Sequence, residues 1–364
     1  MSSSTPQTPR RPPLACSFCD APQAKVKKLI AGPECWICND CVVLCDETMQ
    51  ADDAPLPAPP PSELLRRLDE AMPGRRAAKR ATVAALRMRE LVPDDAESRA
   101  TRLLIVGARG TGKTFFGRAA ARTMGGASYA GDAGRLSESG YVGDDVENLV
   151  YGVLRAAHHN AVRAARGFLF IDSLEKLRGR PPIAPNVRDI NGAGVQRELL
   201  RLLEGEVLGI APGGGARHPQ QTFTDVDTSR IVVVAAFRPE TWSPEGMTES
   251  QLRDALTRDG LIDAVVERFH RVVPLSPLGE DELAAILRWA GGPLDEANAV
   301  IKRLGGSLEL DAATLAAMAR AAAATGDGAW ALSRVVRRML DEILLAHTPA
   351  RHWRFAVDDV ARWT

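Results

Sequence analysis

A loop that could hold a triphosphate is the clearest sign of chemistry in this sequence. Residues 107–114 read GARGTGKT, which fits the pattern G-x-x-x-x-G-K-[ST]. An apolar run at 103–107 precedes the loop and a helix-compatible run at 115–124 follows it. These flanks favour a phosphate-binding loop over an ordinary glycine-rich turn, because such a loop joins a strand to a helix.

The residue types of this loop suit a nucleoside triphosphate with magnesium. Glycines let consecutive backbone N–H groups face the phosphates, Lys113 would reach the β and γ oxygens, and the Thr114 hydroxyl would bind Mg²⁺. The loop therefore predicts ATP and Mg²⁺ as ligands. The predicted binding residues are Gly107, Ala108, Arg109, Gly110, Thr111, Gly112, Lys113, Thr114 and Phe115.

A second apolar run, at 167–171, ends in Asp172. Ligand chemistry in open parallel sheets gathers at the carboxyl ends of the strands, so we expect Asp172 to hold the water shell of the Mg²⁺. An aspartate after an apolar run is not specific in itself. It gains weight here because the phosphate loop predicts such an acid in a neighbouring strand.

The six cysteines all fall within residues 16–45. The N-terminus, MSSSTPQTPRRPP, has no apolar export signal, so the clustering favours a metal site over disulfides. Cys35 and Cys45 are alternative ligands, because Cys35-x-x-Cys38 also has suitable spacing. Two C-x-x-C pairs eighteen residues apart predict a closed, structural four-thiolate zinc site: Cys16, Cys19, Cys38 and Cys41.

The elements that position these residues follow from the apolar pattern. Apolar runs at 103–107, 168–172 and 231–237 alternate with helix-period stretches. This pattern predicts the α/β class, with a parallel sheet covered by helices. The C-terminal tail contains helix-period stretches such as EDELAAILRWA and predicts a small, mostly helical domain.

Composition divides the chain into four segments. Three consecutive prolines at 59–61 favour extended polyproline geometry, so the zinc module is expected on a stiff tether. The predicted boundaries are a zinc-binding domain at 14–50, a proline-rich linker at 51–62, a large ATP-binding domain at 63–275 and a small helical domain at 276–364.

Charge and hydropathy exclude some classes of partner. The formal net charge is zero and the pI is about 7.0, so no basic excess favours binding to nucleic acid. The longest apolar run, 231–237, is too short to cross a bilayer. We therefore expect a cytoplasmic protein with neither nucleic acid nor membrane as a partner.

From Cys16 to the last helices, the sequence resembles the ClpX family of AAA+ protein unfoldases. The module CSFCDAPQAKVKKLIAGPECWICNDCVVLC is similar to the zinc-binding domain of that family. The resemblance implies a P-loop AAA+ parallel sheet with flanking helices, a small helical C-terminal domain and a small N-terminal zinc module. It also implies which cysteines bind Zn²⁺: Cys16, Cys19, Cys38 and Cys41.

The resemblance further implies a homo-hexameric ring that uses ATP to pull a polypeptide through its pore. SESGYVGDDVENLV carries the aromatic pore-loop signature and places Tyr141 and Val142 in the substrate pore. ARHPQQTFTDVDTSR is similar to the basic loop at the pore mouth. GLIDAVVERFHRVV aligns with the arginine-finger segment, so Arg268 would reach the γ-phosphate of the neighbouring subunit. Without the resemblance, such a tyrosine and arginine would be a turn residue and a solvated charge.

Two departures from the family concern catalysis. The family's Asp-Glu at the end of the second strand is Asp172-Ser173 here, so the carboxylate that orients the attacking water is missing. Loss of a positioned base lowers the rate of hydrolysis by a factor on the order of 10²–10⁴. We therefore expect nucleotide binding to be retained while hydrolysis slows, unless Glu175 replaces the missing base. The family's γ-phosphate-sensing arginine is Trp330, and Arg334 is either a shifted sensor or a surface arginine.

Other departures from the family concern the expected protein partners and the contact with the adenine base of ATP. The segment between Phe237 and Gly260 is short and contains no Ile-Gly-Phe tripeptide of the kind that docks on the ClpP peptidase, so we expect no delivery to ClpP. The basic loop has Ala216-Arg217-His218 where two cations precede the histidine, which implies a different substrate choice. Met72-Pro73 occupies the adenine-contacting position.

These features are compatible with three functions to different degrees. The first is an ATP-driven unfoldase with slow hydrolysis, which recruits protein substrates or adaptors through the zinc module. The second is a nucleotide-gated binding protein or adaptor with little or no hydrolysis, alone or mixed with an active relative. The third, a zinc-dependent nucleic-acid binder, is disfavoured by the neutral charge.

Overall fold

The chain divides into two structural units, Met1–Pro57 and Ala58–Thr364. This division falls inside the predicted proline-rich linker. In the computed structural model, the described residues are 14–33, 35–51, 59–93, 101–137, 144–179, 192–211, 223–346 and 352–364.

The N-terminal unit is a small module built around cysteines. Strand β1 (Leu29–Ala31) pairs antiparallel with β2 (Trp36–Cys38), and helix α1 (Asn39–Ala51) follows directly. Its buried core consists of cysteine side chains with only a few partly buried aliphatic neighbours. Because this small apolar core cannot stabilise a module of this size, a bound metal must contribute to its folding.

The second unit is built on a parallel sheet of five strands in the order β4-β5-β8-β3-β9, and a hairpin and a two-stranded parallel pair lie outside that sheet. The strands of this unit are β3 (Arg102–Gly107), β4 (Ser128–Asp132), β5 (Phe168–Asp172), β6 (Val207–Ile210), β7 (Thr224–Asp227), β8 (Val232–Phe237), β9 (Arg271–Leu275), β10 (Ser307–Leu310) and β11 (His352–Phe355).

Helices cover both faces of the sheet and form most of the C-terminal region. Short 3-10 helices of this unit lie at Ala133–Arg135, Leu174–Leu177 and Val357–Arg362, and the N-terminal unit has one at Gln23–Lys25. The α-helices of the second unit are α2 (Pro61–Ala71), α3 (Arg76–Leu91), α4 (Lys113–Met124), α5 (Glu147–Ala156), α6 (Ala161–Ala165), α7 (Ala193–Glu204), α8 (Glu249–Arg258), α9 (Asp263–Arg268), α10 (Glu280–Arg288), α11 (Pro293–Arg303), α12 (Ala312–Ala324) and α13 (Ala329–Leu345).

The three central strands explain the apolar runs. Successive side chains of a strand face opposite sides of the sheet, and in β3 Leu104 and Val106 enter one core whereas Leu103 and Ile105 enter the other. Because both faces are covered, the sequence of each central strand is apolar throughout. The predicted α/β class is thus confirmed, and the three predicted strands correspond to β3, β5 and β8.

The edge strands β4 and β9 were not predicted. Strand β4 is only half-buried, and β9 contains Pro274, which an edge strand tolerates because it lacks a neighbour on one side. Neither strand therefore shows a continuous apolar run. Their sequences do not differ enough from loops to be recognised alone.

Helix α4 approaches the sheet unusually closely at Gly117. A Cβ atom at this position would lie 2.1 Å from the Phe170 ring of β5. The absence of a side chain therefore lets α4, which begins at Lys113, pack directly on the strand that carries Asp172. The close contact fixes the distance between the phosphate loop and this acid.

The C-terminal region has its own core, as predicted for a small, mostly helical domain. Helices α10–α13 enclose buried residues that include Met318, Leu332 and Trp363. Strands β10 and β11 form a parallel pair, and β10, which lies between α11 and α12, was not predicted. Among the described residues, no helix is both long and apolar enough to cross a membrane.

Candidate nucleotide and metal sites

The phosphate loop joins the carboxyl end of β3 to the N-terminus of α4. Gly110 and Gly112 have φ angles of 78° and 82°, which glycine adopts without strain. The Lys113 ammonium donates to the carbonyl oxygens of Gly107, at 2.6 Å, and Ala108, at 2.7 Å. The side chain is thus folded back over its own loop, where phosphate oxygens would replace the carbonyl oxygens as acceptors.

The surroundings of Lys113 make it easier to deprotonate than an ordinary lysine. Burial lowers the pKa of Lys113 to about 8, and the nearby carboxylates of Glu175 and Asp172 oppose this effect. A triphosphate bound in the loop would add negative charge beside the ammonium. A bound triphosphate would therefore stabilise the charged form of Lys113 and raise its pKa.

Asp172 lies across the cavity from the loop, at the end of β5. It lines a cavity of about 390 Å³ together with Lys113 and Thr114, and its role toward Mg²⁺ stays a prediction. Its Oδ1 accepts a hydrogen bond from the Ser173 N–H at 3.0 Å. An aspartate, a threonine hydroxyl and phosphate oxygens are the hard ligands that Mg²⁺ prefers, so the residues present fit this ion.

Two polar residues that follow Asp172, Ser173 and Glu175, differ in the chemistry they offer. Ser173 lines the cavity with φ of 60° and offers a hydroxyl but no carboxylate. Glu175 also lines the cavity, but its Oε2 accepts from the backbone N–H of Arg238 at 3.0 Å. Its Oε1 lies 3.5 Å from Nε of Arg238. Among the described residues that line the cavity, Glu175 is the carboxylate besides Asp172 that could replace a catalytic base, and it is held by Arg238.

A second cavity, of about 400 Å³, adjoins the phosphate loop and suits the base. Met72 and Pro73, the predicted adenine-contacting pair, form part of its lining, as do Phe115 and Trp289. The Phe115 and Trp289 rings meet edge to face with centroids 5.5 Å apart. Trp289 was missed by sequence reasoning, since it follows α10 far along the chain and only the packing of the C-terminal region brings it here.

The start of α13 rests on the phosphate loop. The Ala329 N–H donates to the Gly110 carbonyl at 3.3 Å, and a Cβ at Gly328 would lie 2.5 Å from that same oxygen. The Arg109 guanidinium of the loop lies over the ring of Trp330, in the first turn of α13. The small helical region therefore contacts the loop through backbone atoms and one aromatic ring.

Two arginines with a predicted phosphate contact, Arg334 and Arg268, form ion pairs outside these cavities. Arg334 pairs with Asp327 at 2.6 Å, and Arg268 pairs with Glu204 at 2.6 Å. Among the described residues, neither arginine lines the phosphate cavity. Arg334 thus has the surroundings of a surface arginine, and the role of Arg268 toward a neighbouring subunit stays a prediction.

Some predicted residues lie outside the described part of the chain. Tyr141 and Val142 of the predicted pore loop belong to this group. The same holds for Ala216, Arg217 and His218 of the predicted basic loop. Their proposed roles depend on the sequence alone.

In the N-terminal module, the structure brings four sulfur atoms together. The Sγ atoms of Cys16, Cys19, Cys38 and Cys41 all lie within 4.8 Å of one another, and Cys19 Sγ is 3.7 Å from Cys38 Sγ. Tetrahedral Zn–S bonds of about 2.3 Å place two sulfurs about 3.8 Å apart, so the cluster fits Zn²⁺. Cys35 and Cys45, the alternatives left open by spacing, are exposed and outside this cluster.

The module also favours thiolate at one of these positions. Burial opposes ionisation of Cys16, yet backbone hydrogen bonds, including one from the Cys38 N–H at 3.3 Å, lower its pKa to about 6. Hydrogen bonding with the Cys19 thiol and burial raise the pKa of Cys41. Four crowded thiols cannot all ionise without a cation, which a zinc ion would supply.

Comparison with known families agrees with both sites. Residues 14–51 match the ClpX C4-type zinc finger. Residues 103–256 match the ATPase family associated with various cellular activities, AAA, and this range includes the phosphate loop and Asp172. The chain pairs a ClpX-type zinc finger with an AAA ATPase domain, a combination consistent with a member of the ClpX family.

Proposed function

We propose that this protein is an ATP-driven protein unfoldase that works as a hexameric ring and hydrolyses ATP slowly. The zinc finger and AAA domain support an ATPase of the unfoldase or chaperone kind. The observation that carries the proposal is that Lys113, Thr114 and Asp172 line one cavity beside an aromatic base pocket. These are the parts needed to bind ATP with Mg²⁺.

Slow hydrolysis follows from the residues at the end of β5. Ser173 has no carboxylate to orient the attacking water, and Glu175 is engaged with Arg238. Because nucleotide binding depends on other residues, binding would persist while turnover falls by about 10²–10⁴ relative to an enzyme with a positioned base.

A steady-state ATPase assay tests this proposal. The Lys113→Ala variant is the inactive control, and Ser173→Glu is the repair. Residue 173 already has a positive φ although it is not a glycine, so a glutamate there would keep the same backbone conformation. A wild-type rate above that of Lys113→Ala, raised by at least about tenfold in Ser173→Glu, supports the proposal. A wild-type rate equal to the Lys113→Ala rate eliminates the unfoldase function.

Threading of substrate is proposed to depend on Tyr141 as the gripping residue of the pore. A tagged, fluorescent substrate protein would be unfolded by the wild type and by Tyr141→Phe, which keeps the aromatic ring. Tyr141→Ala would lose unfolding while retaining ATP turnover. Equal unfolding by the phenylalanine and alanine variants would remove Tyr141 from this role.

We further propose that substrates or adaptors bind the zinc module, that Arg268 reaches the nucleotide of the neighbouring subunit, and that the ring does not deliver to ClpP. The short segment between Phe237 and Gly260 supports the last point, since β8 and α8 leave few residues for a docking loop. Sizing chromatography with and without ATP tests the ring. Stable co-elution with ClpP in the presence of ATP would refute the last point.

A second candidate function is a nucleotide-gated binding protein that assembles on ATP and barely hydrolyses it. The contacts between Glu175 and Arg238 favour this second function. Among the described residues that line the cavity, Glu175 is the only acid besides Asp172, and these contacts engage its carboxylate. ATP-dependent assembly with turnover equal to that of Lys113→Ala would favour this function over the first.

A further inference from the structure

A third cavity, the side cavity, lies beyond Asp172 on the side away from the phosphate loop. It has a volume of about 260 Å³ and lies at the carboxyl end of β4, the edge strand next to β5. The phosphate loop follows β3, which is on the other side of β5 in the strand order. The charged and amide residues that line the side cavity are Arg118, Asp132, Arg135, Asp144, Asn148 and Asp172.

The side cavity adjoins the cavity that holds Lys113, which is called the phosphate cavity here. Arg118 and Asp172 line both of them. Arg118 lies in α4 one turn after Thr114, so the two side chains share a face of the helix. The γ-phosphate of ATP would lie between Lys113 and an Mg²⁺ ion held by Asp172. The side cavity is therefore the compartment next to the outermost phosphate.

The acids that line the side cavity have cationic partners. Asp132 Oδ2 lies 3.2 Å from Nζ of Lys176, and Asp144 Oδ2 lies 3.1 Å from Nε of Arg135. Asp172 is expected to hold Mg²⁺. Each of these carboxylates thus has a positive charge of its own, and none of them needs Arg118.

Arg118 is a cation of this cavity without a partner. Its side chain is exposed, and among the described residues its guanidinium forms no ion pair or hydrogen bond. A guanidinium presents a planar set of N–H donors that match the oxygens of a phosphate. Once Asp172 is bound to Mg²⁺, the side cavity has an unbalanced positive charge and free donors for an anion with several oxygen atoms.

We propose that the side cavity binds inorganic phosphate, the product of ATP hydrolysis, and that Arg118 holds it there. The proposal rests on the proposed ATPase function. Hydrolysis breaks the bond between the γ-phosphorus and its bridging oxygen, so ADP stays on the loop while the detached phosphate is free to move past Asp172. A site on that side lets phosphate leave the protein before ADP does.

Two simpler situations predict different results: a solvated Arg118 with no ligand, and phosphate that binds only at the γ position. Asn148 separates them, because it lines the side cavity but is not among the described residues of the phosphate cavity. Asn148→Asp adds a carboxylate to the side cavity at almost unchanged side-chain size. Residue 148 lies in the first turn of α5, where a negative charge is favourable, so the fold should tolerate the change.

The experiment titrates inorganic phosphate onto the full chain loaded with ADP and Mg²⁺, and ³¹P NMR measures the binding. We expect the wild type to bind phosphate. Arg118→Ala and Asn148→Asp should each weaken this binding by at least about tenfold, because one loses a charged donor and the other adds a like charge. Arg118→Lys should recover part of the affinity, since it retains the charge. The affinity for ADP should change by less than about threefold in these variants.

Arg122→Ala is the matched control, since Arg122 is an exposed arginine one turn further along α4 and is not among the described residues that line either cavity. It should bind phosphate as the wild type does. Unchanged phosphate affinity in Arg118→Ala or in Asn148→Asp would overturn the site, and so would a wild type that binds ADP but no phosphate. A wild type that binds no ADP would overturn the proposed ATPase function, and the phosphate site with it.

Discussion

The guanidinium carbon of Arg109, in the phosphate loop, lies 5.7 Å from the centroid of the Trp330 ring at the start of α13. This is the geometry of a cation–π contact, worth about 0.5–1 kcal/mol where the pair is exposed to solvent. Trp330 is 58% exposed, so this lower range applies. The contact links the small helical region to the loop that is expected to rearrange around phosphates.

The first prediction is that Trp330 reports nucleotide binding. When the loop closes on a triphosphate, Arg109 gains a phosphate as a neighbour and its position over the ring changes. We expect ATP to change the tryptophan fluorescence of the wild type. The change should be distinctly smaller in Trp330→Phe, because phenylalanine keeps an aromatic ring at this position but lacks the indole. Identical changes in the two proteins would show that Trp330 does not sense the loop.

The second prediction concerns pH. The pKa of Lys113 is lowered to about 8, with burial as the main cause. A bound triphosphate stabilises the charged ammonium and so raises this pKa, which means that binding takes up a proton when the solution pH exceeds about 8. Affinity for MgATP should be nearly constant below that pH and fall by up to about tenfold per pH unit above it.

Calorimetry in buffers of different ionisation enthalpy, between about pH 7 and 9.5, measures both the affinity and the proton uptake. Lys113→Met is the control, because it removes the ionisable group and should bind weakly with a flat profile. A flat profile in the wild type would contradict the assignment of Lys113 as the phosphate-binding lysine.

The contrast between Lys113 and Arg238 shows how far the sequence alone could reach. Lys113 belongs to a local motif whose glycines, strand and helix are contiguous, so its position could be predicted without knowledge of the fold. Arg238 could not be assigned in this way, because its place depends on β8 lying between β3 and β5. The apolar run of β8 was recognisable, but strand order is not encoded in any single segment.

The base pocket shows the same limit. Met72 and Pro73 were predicted from the resemblance, whereas Trp289 reaches the pocket only because the fold brings the end of α10 to α2, where its indole N–H donates to the Glu70 carbonyl. The cysteines are the opposite case, since two local C-x-x-C pairs predicted a zinc site with Cys35 and Cys45 as alternative ligands, and the structure separates these two cysteines from the sulfur cluster.

The third prediction follows from that separation. Cys38→Ser should lose the bound zinc and unfold residues 14–51, because a structural zinc site supplies about 10–16 kcal/mol toward folding of such a module. Cys35→Ser is the matched control, as Cys35 is exposed and outside the sulfur cluster, and it should keep its zinc. Metal analysis and limited proteolysis measure the two effects.

The affinity for ATP in Cys38→Ser should stay within about threefold of the wild type. The residues that line the nucleotide cavities all belong to the second unit, which has its own cores. Loss of zinc from Cys35→Ser, or retention of zinc by Cys38→Ser, would contradict the ligand assignment.

The fourth prediction concerns Trp289. Its indole N–H donates to the Glu70 carbonyl at 2.8 Å, and its ring meets Phe115 at the rim of the base pocket. The ring is thus fixed by one hydrogen bond and one aromatic contact, in a position to cover a planar base. Stacking of a base on an aromatic side chain is worth about 1–3 kcal/mol, so Trp289→Ala should weaken ATP binding by about 5- to 150-fold.

Inorganic triphosphate has no base, so its affinity should be the same in Trp289→Ala and the wild type within about threefold. Competition of ATP and inorganic triphosphate against a fluorescent nucleotide measures both affinities in one assay. Trp353→Ala is the matched control, since Trp353 belongs to the same helical region but stacks on Phe355 in the β10–β11 pair. A loss of triphosphate affinity as large as the loss of ATP affinity would mean that Trp289 supports the phosphate loop rather than the base.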